Sequence, residues 1–143
     1  MIGKGKSISH TRASMSYGWN QEKDAEIVLK EFLHGDSPVE ITQEFKMLQD
    51  QNYHCKKNTL SFVISPTIED GKRLDKNKLQ AITKRFMHEM KLGERQAIAF
   101  VHQDKDHKHI HLYVNRIDFK GIAYNDSFIG KRSQLAAEKV AEH

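Results

Sequence analysis

The chain has 143 residues, 38% hydrophobic and 29% charged, which allows one domain with a single core. Its net charge of +4 favours an anionic partner, and its single cysteine, Cys55, excludes both an internal disulfide framework and a cysteine-rich zinc site. The N-terminus lacks an apolar signal-peptide core, and the sequence contains no apolar run of about 18 residues, so we expect a cytoplasmic protein without membrane insertion.

The first half of the chain predicts two helices and a strand. The segment NQEKDAEIVLKEFL, residues 20–33, places apolar side chains on one helical stripe, with Asn20 as its N-cap. SPVEITQEFKMLQD, residues 37–50, opens with a capping box and a proline at the first helical position. TLSFVIS, residues 59–65, alternates between apolar and polar side chains, as a half-buried strand does.

The second half predicts a helix, a β-hairpin and a terminal helix. Residues 75–93 are helical and closed by Gly93, residues 96–102 and 109–117 form two strands, and a turn at 118–121 leads to a short strand at 122–124. Strands joined by short loops pair antiparallel, so we expect an α+β fold in one domain over residues 1–143. The final RSQLAAEKVAEH is helical without a cap, which leads us to expect the N-terminal part of a longer protein.

Four of the nine histidines fall within ten positions of the predicted hairpin, namely His102, His107, His109 and His111. Alternation divides the second strand into a polar face of His109, His111, Tyr113 and Asn115 and an apolar face of Ile110, Leu112 and Val114. A shift of one residue in register would bury the histidines, so the apolar face should fix the register.

We expect His102, His109 and His111 to converge across the hairpin and bind one divalent metal ion. A lone His-x-His pair on a strand is more often structural or exposed to solvent, and His107 in the charged turn fits that simpler interpretation. Three imidazole nitrogens leave coordination positions open, which is typical of a catalytic site. We expect Mn²⁺ or Mg²⁺ as the cofactor, although imidazole suits Zn, Mn, Ni or Cu better than Mg.

The stretch HQDKDHKHIHLYVN resembles the His-x-Asp…His-hydrophobic-His-x-x-x-Asn signature of plasmid and transposon mobilisation relaxases, which belong to the HUH endonuclease superfamily. The upstream strand and helix, residues 59–92, also resemble that family, so the likeness covers most of the chain. It is similar in particular to relaxases of mobilisable elements in Bacteroides-type bacteria. The resemblance implies an antiparallel sheet that carries the histidine hairpin and is flanked by helices.

The resemblance also implies an activity and its partners. These enzymes nick and rejoin one DNA strand at a transfer origin through a covalent 5′-phosphotyrosine, in a metal-dependent, site-specific reaction that initiates conjugative mobilisation. The implied partners are single-stranded or hairpin origin DNA, accessory mobilisation proteins and a coupling protein. Within this pattern Asp104 is expected to be a catalytic-site residue that hydrogen-bonds a ligand histidine and fixes its tautomer.

The chain offers four tyrosines as the nucleophile, namely Tyr17, Tyr53, Tyr113 and Tyr124. Relaxases of this type carry it near the N-terminus, ahead of the first helix, which favours Tyr17. Its segment shows little apolar periodicity, so Tyr17 need not belong to the core, although packing beside Trp19 is the simpler alternative. Tyr113 shares the histidine face and is the rival, for which packing or contact with DNA is the expected role.

Basic and aromatic side chains near these motifs are expected to bind DNA, because each cation that neutralises a phosphate releases counterions and an aromatic ring can stack on a base. The predicted DNA-binding residues are Lys4, Lys6, Arg12, Trp19, Asn115, Lys131 and Arg132. For Asn115, which shares the face of His111, support of the ligand histidines is the alternative role. We interpret Lys72, Lys84 and Lys91 as solubilising side chains.

Two other classes remain open on the sequence alone. Replication initiators and single-tyrosine transposases of the same superfamily share the His-hydrophobic-His pair but carry the tyrosine on a helix downstream of it. A non-enzymatic metal-binding or DNA-binding module would instead use the three histidines structurally.

Overall fold

The computed structural model describes residues 1–19, 25–104 and 107–141. Within these ranges the elements follow in the order β1 (Ile2–Ile8), α1 (Thr11–Gly18), β2 (Glu26–Glu31), α2 (Pro38–Gln49), β3 (Thr59–Ser65), α3 (Ile68–Arg73), α4 (Lys76–Glu89), β4 (Ala97–Asp104), β5 (His107–Asn115) and α5 (Ile129–Ala141). No helix in this part of the chain is both long and apolar enough to cross a membrane.

The five strands form one sheet in the order β1-β3-β5-β4-β2, and every neighbouring pair is antiparallel. The β4–β5 hairpin lies inside the sheet, with β3 on one side and β2 on the other. Helices flank the sheet, so the predicted α+β class is confirmed. Because the hairpin is central, the positions of its side chains are fixed by pairing on both sides.

One face of the sheet packs against α4 and α5 and holds the larger core. Its side chains come from all the central strands and from both helices, and include Phe62, Phe86, Leu112 and Ala137. The rings of Phe62 and Phe86 meet edge-on at 5.2 Å between centroids. Helix α5 lies close against β1, since a Cβ on Gly3 would stand 2.6 Å from the carbonyl oxygen of Ser133.

The opposite face packs against α1 and α2 over only part of its area. A second core fills that part, made of Ile8, Met15, Leu33, Ile41, Phe45, Ile98, Phe100 and Tyr113. We call this side of the sheet the histidine face, because His102, His109 and His111 lie on it. Beyond the second core, Lys4 and Lys6 of β1 are exposed on the same side.

The predicted helix over residues 20–33 is wrong, because Glu26–Glu31 form the edge strand β2. Asn20, its predicted N-cap, lies outside the described residues. The apolar run Ile27–Leu29 coincides with a bulge in the pairing of β2 with β4. At a bulge the strict alternation of side chains is interrupted, so the successive residues Val28 and Leu29 are both buried. Two buried neighbours in a row resemble the apolar spacing of an amphipathic helix, which explains the wrong prediction.

The other predicted elements are confirmed, with changes at some ends. The Ser37 hydroxyl accepts from the Glu40 amide at the start of α2, as the capping box predicts. Helix α4 is capped by Asp75 and ends at Glu89, and Lys91 rather than Gly93 takes the left-handed conformation after it. The predicted short strand at 122–124 is reduced to a single bridge between Ile117 and Ala123.

Candidate active site

The hairpin register places the three predicted ligand histidines on one face. His102 of β4 pairs directly with His109 of β5, and His111 pairs with Phe100, two residues before His102. Directly paired residues of antiparallel strands point to the same side, with Cβ atoms about 5 Å apart. Ile110, Leu112 and Val114 point to the other side, into the larger core. The predicted division of β5 into two faces is therefore confirmed.

The histidine rings are held in different ways. The rings of His102 and His111 lie 4.4 Å apart between centroids. His102 is only 2% exposed, and its Nε2 donates a hydrogen bond to the carbonyl oxygen of Gly18 at 3.2 Å. Nδ1 of His109 lies 2.8 Å from the hydroxyl of Ser65, and its ring stacks on that of His107 at 5.8 Å.

Tyr17 stands over this group of imidazoles. Its ring meets the rings of His102 and His111 edge-on, with centroid separations of 5.2 and 5.6 Å. The residue is 41% exposed, so solvent and substrate can reach it. Tyr17 lies inside the helix α1, so its expected place ahead of the first helix is wrong, and the helix itself brings it to the histidines.

The close packing of helix α1 against strand β4 depends on Gly18. A Cβ on Gly18 would stand 2.4 Å from Cε2 of Phe100, so only a residue without a side chain allows this end of the helix to lie on β4. Trp19 follows and meets the ring of Phe100 edge-on at 5.0 Å. Trp19 thus packs against the second core as a partly buried residue, and the close contact of Gly18 sets how far Tyr17 stands from the sheet.

The other tyrosines lie in surroundings unlike that of Tyr17. Tyr113 is 4% exposed within the second core, and burial together with the nearby Tyr17 raises the pKa of its hydroxyl to about 12. The Tyr124 hydroxyl donates to the carbonyl of Met90 and accepts from Arg132, so it is held on the side of α4 and α5. Tyr53 is 71% exposed in the loop after α2.

Asn115 is fully buried, which argues against its predicted contact with DNA. Its Nδ2 donates to the carbonyl of Phe45 and to Oε1 of Gln96, and its Oδ1 accepts from the amide of Ile117. These bonds tie the end of β5 to α2, so its role here is structural. The backbone of Asp104 pairs with His107 at the hairpin tip, and the side chain of Asp104 lies outside the described part of the chain.

The predicted DNA-binding cations separate into two groups. Lys4 pairs with Val63, which pairs with His111, so Lys4 is on the histidine face about 10 Å away across two strand spacings. Lys6 follows on the same face, and Arg12 is exposed on α1. Lys131 and Arg132 lie on α5, which packs against the opposite face, and Arg132 bonds to the loop at Tyr124–Ser127. The structure therefore separates these two from the histidines.

The histidines fit a divalent metal ion by their chemistry and their placement. No three metal-binding side chains are already gathered around one point in the described ranges. The backbone nonetheless puts His102 opposite His109 and brings the rings of His102 and His111 to 4.4 Å, so the three imidazoles occupy neighbouring positions on one face of the hairpin. Three imidazoles are a donor set suited to a divalent transition metal.

Two residues of the site were not predicted from the sequence. Gly18 supplies both a close packing contact and the carbonyl that accepts from His102. Ser65 ends β3 immediately after Ile64, the partner of Ile110, and so reaches His109 on the neighbouring strand. The alternation of residues 59–65 did place Ser65 on the polar face of β3, but the sequence alone does not show which strand lies beside it.

Comparison with known protein families identifies one family whose model matches this chain. A search of curated proteins found no match. The family model described as "Relaxase: MobA/VirD2-like, nuclease domain" matches residues 17–143, a range that begins at the tyrosine over the histidines and includes the whole hairpin. Relaxase nuclease domains are endonucleases and strand transferases that nick DNA during mobilisation. Because this match covers most of its length, the chain belongs to the MobA/VirD2-like relaxases.

Proposed function

We propose that this relaxase cleaves one strand of origin DNA by attack of the Tyr17 hydroxyl, which forms a covalent 5′-phosphotyrosine that is later resealed. The observation that carries the proposal is the edge-on contact of Tyr17 with His102 and His111 at 5.2 and 5.6 Å. The partly exposed Tyr17 and the imidazoles proposed to bind metal thus lie in contact on one face of the sheet. We also propose that its relatives are the relaxases of Bacteroides-type mobilisable elements, on the hairpin signature.

The reaction needs charge neutralisation, because a phosphodiester anion repels an incoming phenolate. His102, His109 and His111 would hold a divalent ion, which when bound would supply positive charge beside the scissile phosphate. Tyr17 must lose the proton of its phenol, whose reference pKa is about 10. Its oxygen then bonds to phosphorus, the bond from phosphorus to the 3′-oxygen breaks, and that oxygen takes up a proton.

The covalent link explains how the strand can be rejoined. The phosphotyrosine conserves the energy of the broken phosphodiester, so a 3′-hydroxyl can displace Tyr17 in the reverse reaction without a nucleotide cofactor. Because Tyr17 belongs to a helix that packs on the sheet through Met15 and Gly18, its oxygen is held near the histidines during both steps.

Positive charge on the histidine face supports a route by which single-stranded DNA could reach Tyr17. Lys4 and Lys6 line the exposed part of this face beside β3. The register places Lys4 on the row that leads across Val63 to His111, and Lys6 on the row that leads across Ser61 to Tyr113. Arg12 adds a cation on α1, one turn and a half before Tyr17. A single strand laid from β1 toward Tyr17 would meet Lys4 and Lys6 before the site of attack, and each would contribute to binding by release of counterions.

The positions of the other tyrosines do not support an initiator or transposase mechanism. Such enzymes use a tyrosine downstream of the histidines, and the downstream candidates here are Tyr113 and Tyr124. Tyr113 is buried with a raised pKa, and Tyr124 bonds to Met90 and Arg132 on the other side of the sheet. Neither has the exposure and the contact with the histidines that Tyr17 combines.

The experiment is a nicking assay on single-stranded oligonucleotides tiled across the DNA that flanks the coding sequence. We expect cleavage of one oligonucleotide with Mn²⁺ present, no cleavage after chelation, and no cleavage by Tyr17→Phe. Tyr113→Phe is the matched control, since it removes a hydroxyl from the neighbouring tyrosine, and it should cut at nearly the wild-type rate. Undiminished cleavage by Tyr17→Phe would overturn the proposal.

A further inference from the structure

The hydroxyl of Ser65 and Nδ1 of His109 lie 2.8 Å apart in a partly buried contact. Ser65 is the last residue of β3, and the chain leaves the sheet immediately afterwards at Pro66. The pairing of Ile64 with Ile110 fixes this end of β3 beside His109. Two paired strands, rather than a loop, therefore determine the distance between the hydroxyl and the ring.

This contact bears on which nitrogen of His109 can bind a metal ion. In a neutral imidazole one nitrogen carries the hydrogen and the other carries the lone pair. If Nδ1–H donates to the Ser65 oxygen, the lone pair is at Nε2, on the far side of the ring from Ser65. If the hydroxyl donates to Nδ1 instead, Nε2 carries the hydrogen and cannot serve as a ligand. Only the first arrangement prepares His109 to bind a metal through Nε2.

Two other histidines lie beside His109. The ring of His107 stacks on that of His109 with an interplanar angle of 8°, a contact that restrains the plane of the ring. His102, directly opposite, donates through its Nε2 to the carbonyl of Gly18. The backbone of Asp104 pairs with His107, which is two residue pairs nearer to the hairpin tip than the pair of His102 and His109.

We propose that Ser65 is a positioning residue for His109, accepting a hydrogen bond from its Nδ1 so that Nε2 is presented as a metal ligand. This inference rests on the proposed function, because it assigns a role within the same site. Hydrogen-bonded partners of ligand histidines fix the tautomer and the direction of the ring, and their loss costs about 10- to 100-fold in metal affinity. A serine can take this role because its hydroxyl rotates to accept as well as to donate.

The test is a calorimetric titration of the metal-free protein with Mn²⁺ for the wild type, Ser65→Ala, Ser65→Thr and Ser61→Ala. We expect Ser65→Ala to bind at least about tenfold more weakly and Ser65→Thr, which keeps the hydroxyl, to recover most of the affinity. Ser61→Ala is the matched control, since Ser61 lies on the same face of β3 but pairs with Tyr113. If Ser65→Ala does not fold, Ser65→Val, which has the shape of threonine without its hydroxyl, should bind Mn²⁺ as weakly as is expected of Ser65→Ala.

A second measurement reports the hydrogen directly. In ¹⁵N-histidine-labelled protein loaded with Zn²⁺, the wild type should show the hydrogen of His109 on Nδ1, and Ser65→Ala should change or broaden that signal. Wild-type affinity in Ser65→Ala, or the hydrogen on Nε2 of the loaded wild type, would overturn the role of Ser65 alone. Failure of the wild type to bind Mn²⁺ or Zn²⁺ would overturn both the metal site and this role.

Discussion

Gly18 lies so close to the ring of Phe100 that a Cβ would stand 2.4 Å from Cε2 and 2.6 Å from Cδ2. The same glycine accepts the hydrogen bond from His102 and follows Tyr17 in the chain. The distance between Tyr17 and the histidines is therefore set by a position where the sheet tolerates no side chain. Two buried rings, Phe100 and Tyr113, support this position at 6.2 Å from one another.

Gly18→Ala should therefore lower the rate of cleavage by at least about tenfold, because the new methyl group forces α1 away from Phe100 and misplaces Tyr17. Gly93→Ala is the control, since a Cβ there meets nothing within 4 Å. Initial rates on the same oligonucleotide, with circular dichroism as a check on folding, provide the measurement. Equal rates for the two variants would show that the close contact of α1 does not matter for chemistry.

His102→Ala, His109→Ala and His111→Ala should each abolish cleavage and reduce Mn²⁺ binding from about one ion per chain to none detectable. The reason is that the loss of one of three imidazole ligands leaves too few donors to hold the ion. His107→Ala is the comparison, because His107 is exposed and only stacks on His109. Titration calorimetry and nicking assays should find it nearly silent, and an equal loss in His107→Ala would show that the ligand set is different.

Lys4→Gln combined with Lys6→Gln should weaken the binding of single-stranded DNA and flatten its dependence on salt. Each lost phosphate contact reduces the slope of log affinity against log salt by about 0.7 for a single strand, so the pair should reduce it by about 1.4. Fluorescence anisotropy from low to moderate salt measures this slope. Lys84→Gln, on helix α4 at the opposite face, should keep the wild-type slope. An unchanged slope in the Lys4 and Lys6 variant would contradict the proposed path.

Stability should fall at high pH because of Tyr113. Burial raises the pKa of its hydroxyl to about 12, whereas an unfolded tyrosine titrates near about 10. Below pH 10 both states keep the proton. Between pH 10 and 12 the unfolded state loses it first, so the free energy of unfolding decreases, by an amount on the order of 2 kcal/mol, and the contribution is lost as the pH passes 12.

Urea unfolding of the wild type and Tyr113→Phe across this pH range isolates the effect, because the remaining tyrosines and lysines are common to both proteins. Tyr113→Phe keeps the buried ring and should lose less stability between pH 10 and 12. Parallel curves for the two proteins would mean that the Tyr113 hydroxyl is not protected from ionisation by the fold.

The hairpin could be predicted from the sequence because the pattern that determines it lies within the strand itself. The alternation of Ile110, Leu112 and Val114 with the histidines admits one register if the apolar side is to be buried, and the structure has that register. The start of α2 was predictable for a similar reason, since Ser37 and Glu40 carry the whole capping signal within four residues.

Helix α1 and strand β2 could not be predicted because their structure depends on distant partners. The segment Thr11–Gly18 has few apolar residues, and its position comes from Gly18 fitting against Phe100 and Thr11 bonding to Thr59. β2 is an edge strand whose bulge puts Val28 and Leu29 into the core together, which imitates a helical stripe. Only the neighbouring β4 determines that this segment is extended.

The site was predicted unevenly for the same reason. The alternation of side chains was enough to select His109 and His111 as candidates, and the family resemblance was enough to select Tyr17. Ser65 could be recognised only from the structure, because its contact with His109 depends on β3 lying beside β5. Asn115 was predicted to face DNA because it lies on the polar face of β5. It is instead enclosed by α2, whose carbonyl at Phe45 it binds, and this packing is not visible in the spacing of the motif.

Peptide mass spectrometry of a trapped covalent adduct identifies the residue that attacks the DNA. The protein is incubated with Mn²⁺ and the cleavable oligonucleotide, which carries a 3′-phosphorothiolate at the cut position so that the released thiol does not reverse the reaction. We expect a nucleotide attached through its 5′-phosphate to the peptide that contains Tyr17, and no adduct in Tyr17→Phe. An adduct on Tyr113 or Tyr124, or release of a free 5′-phosphate with no adduct, would contradict it.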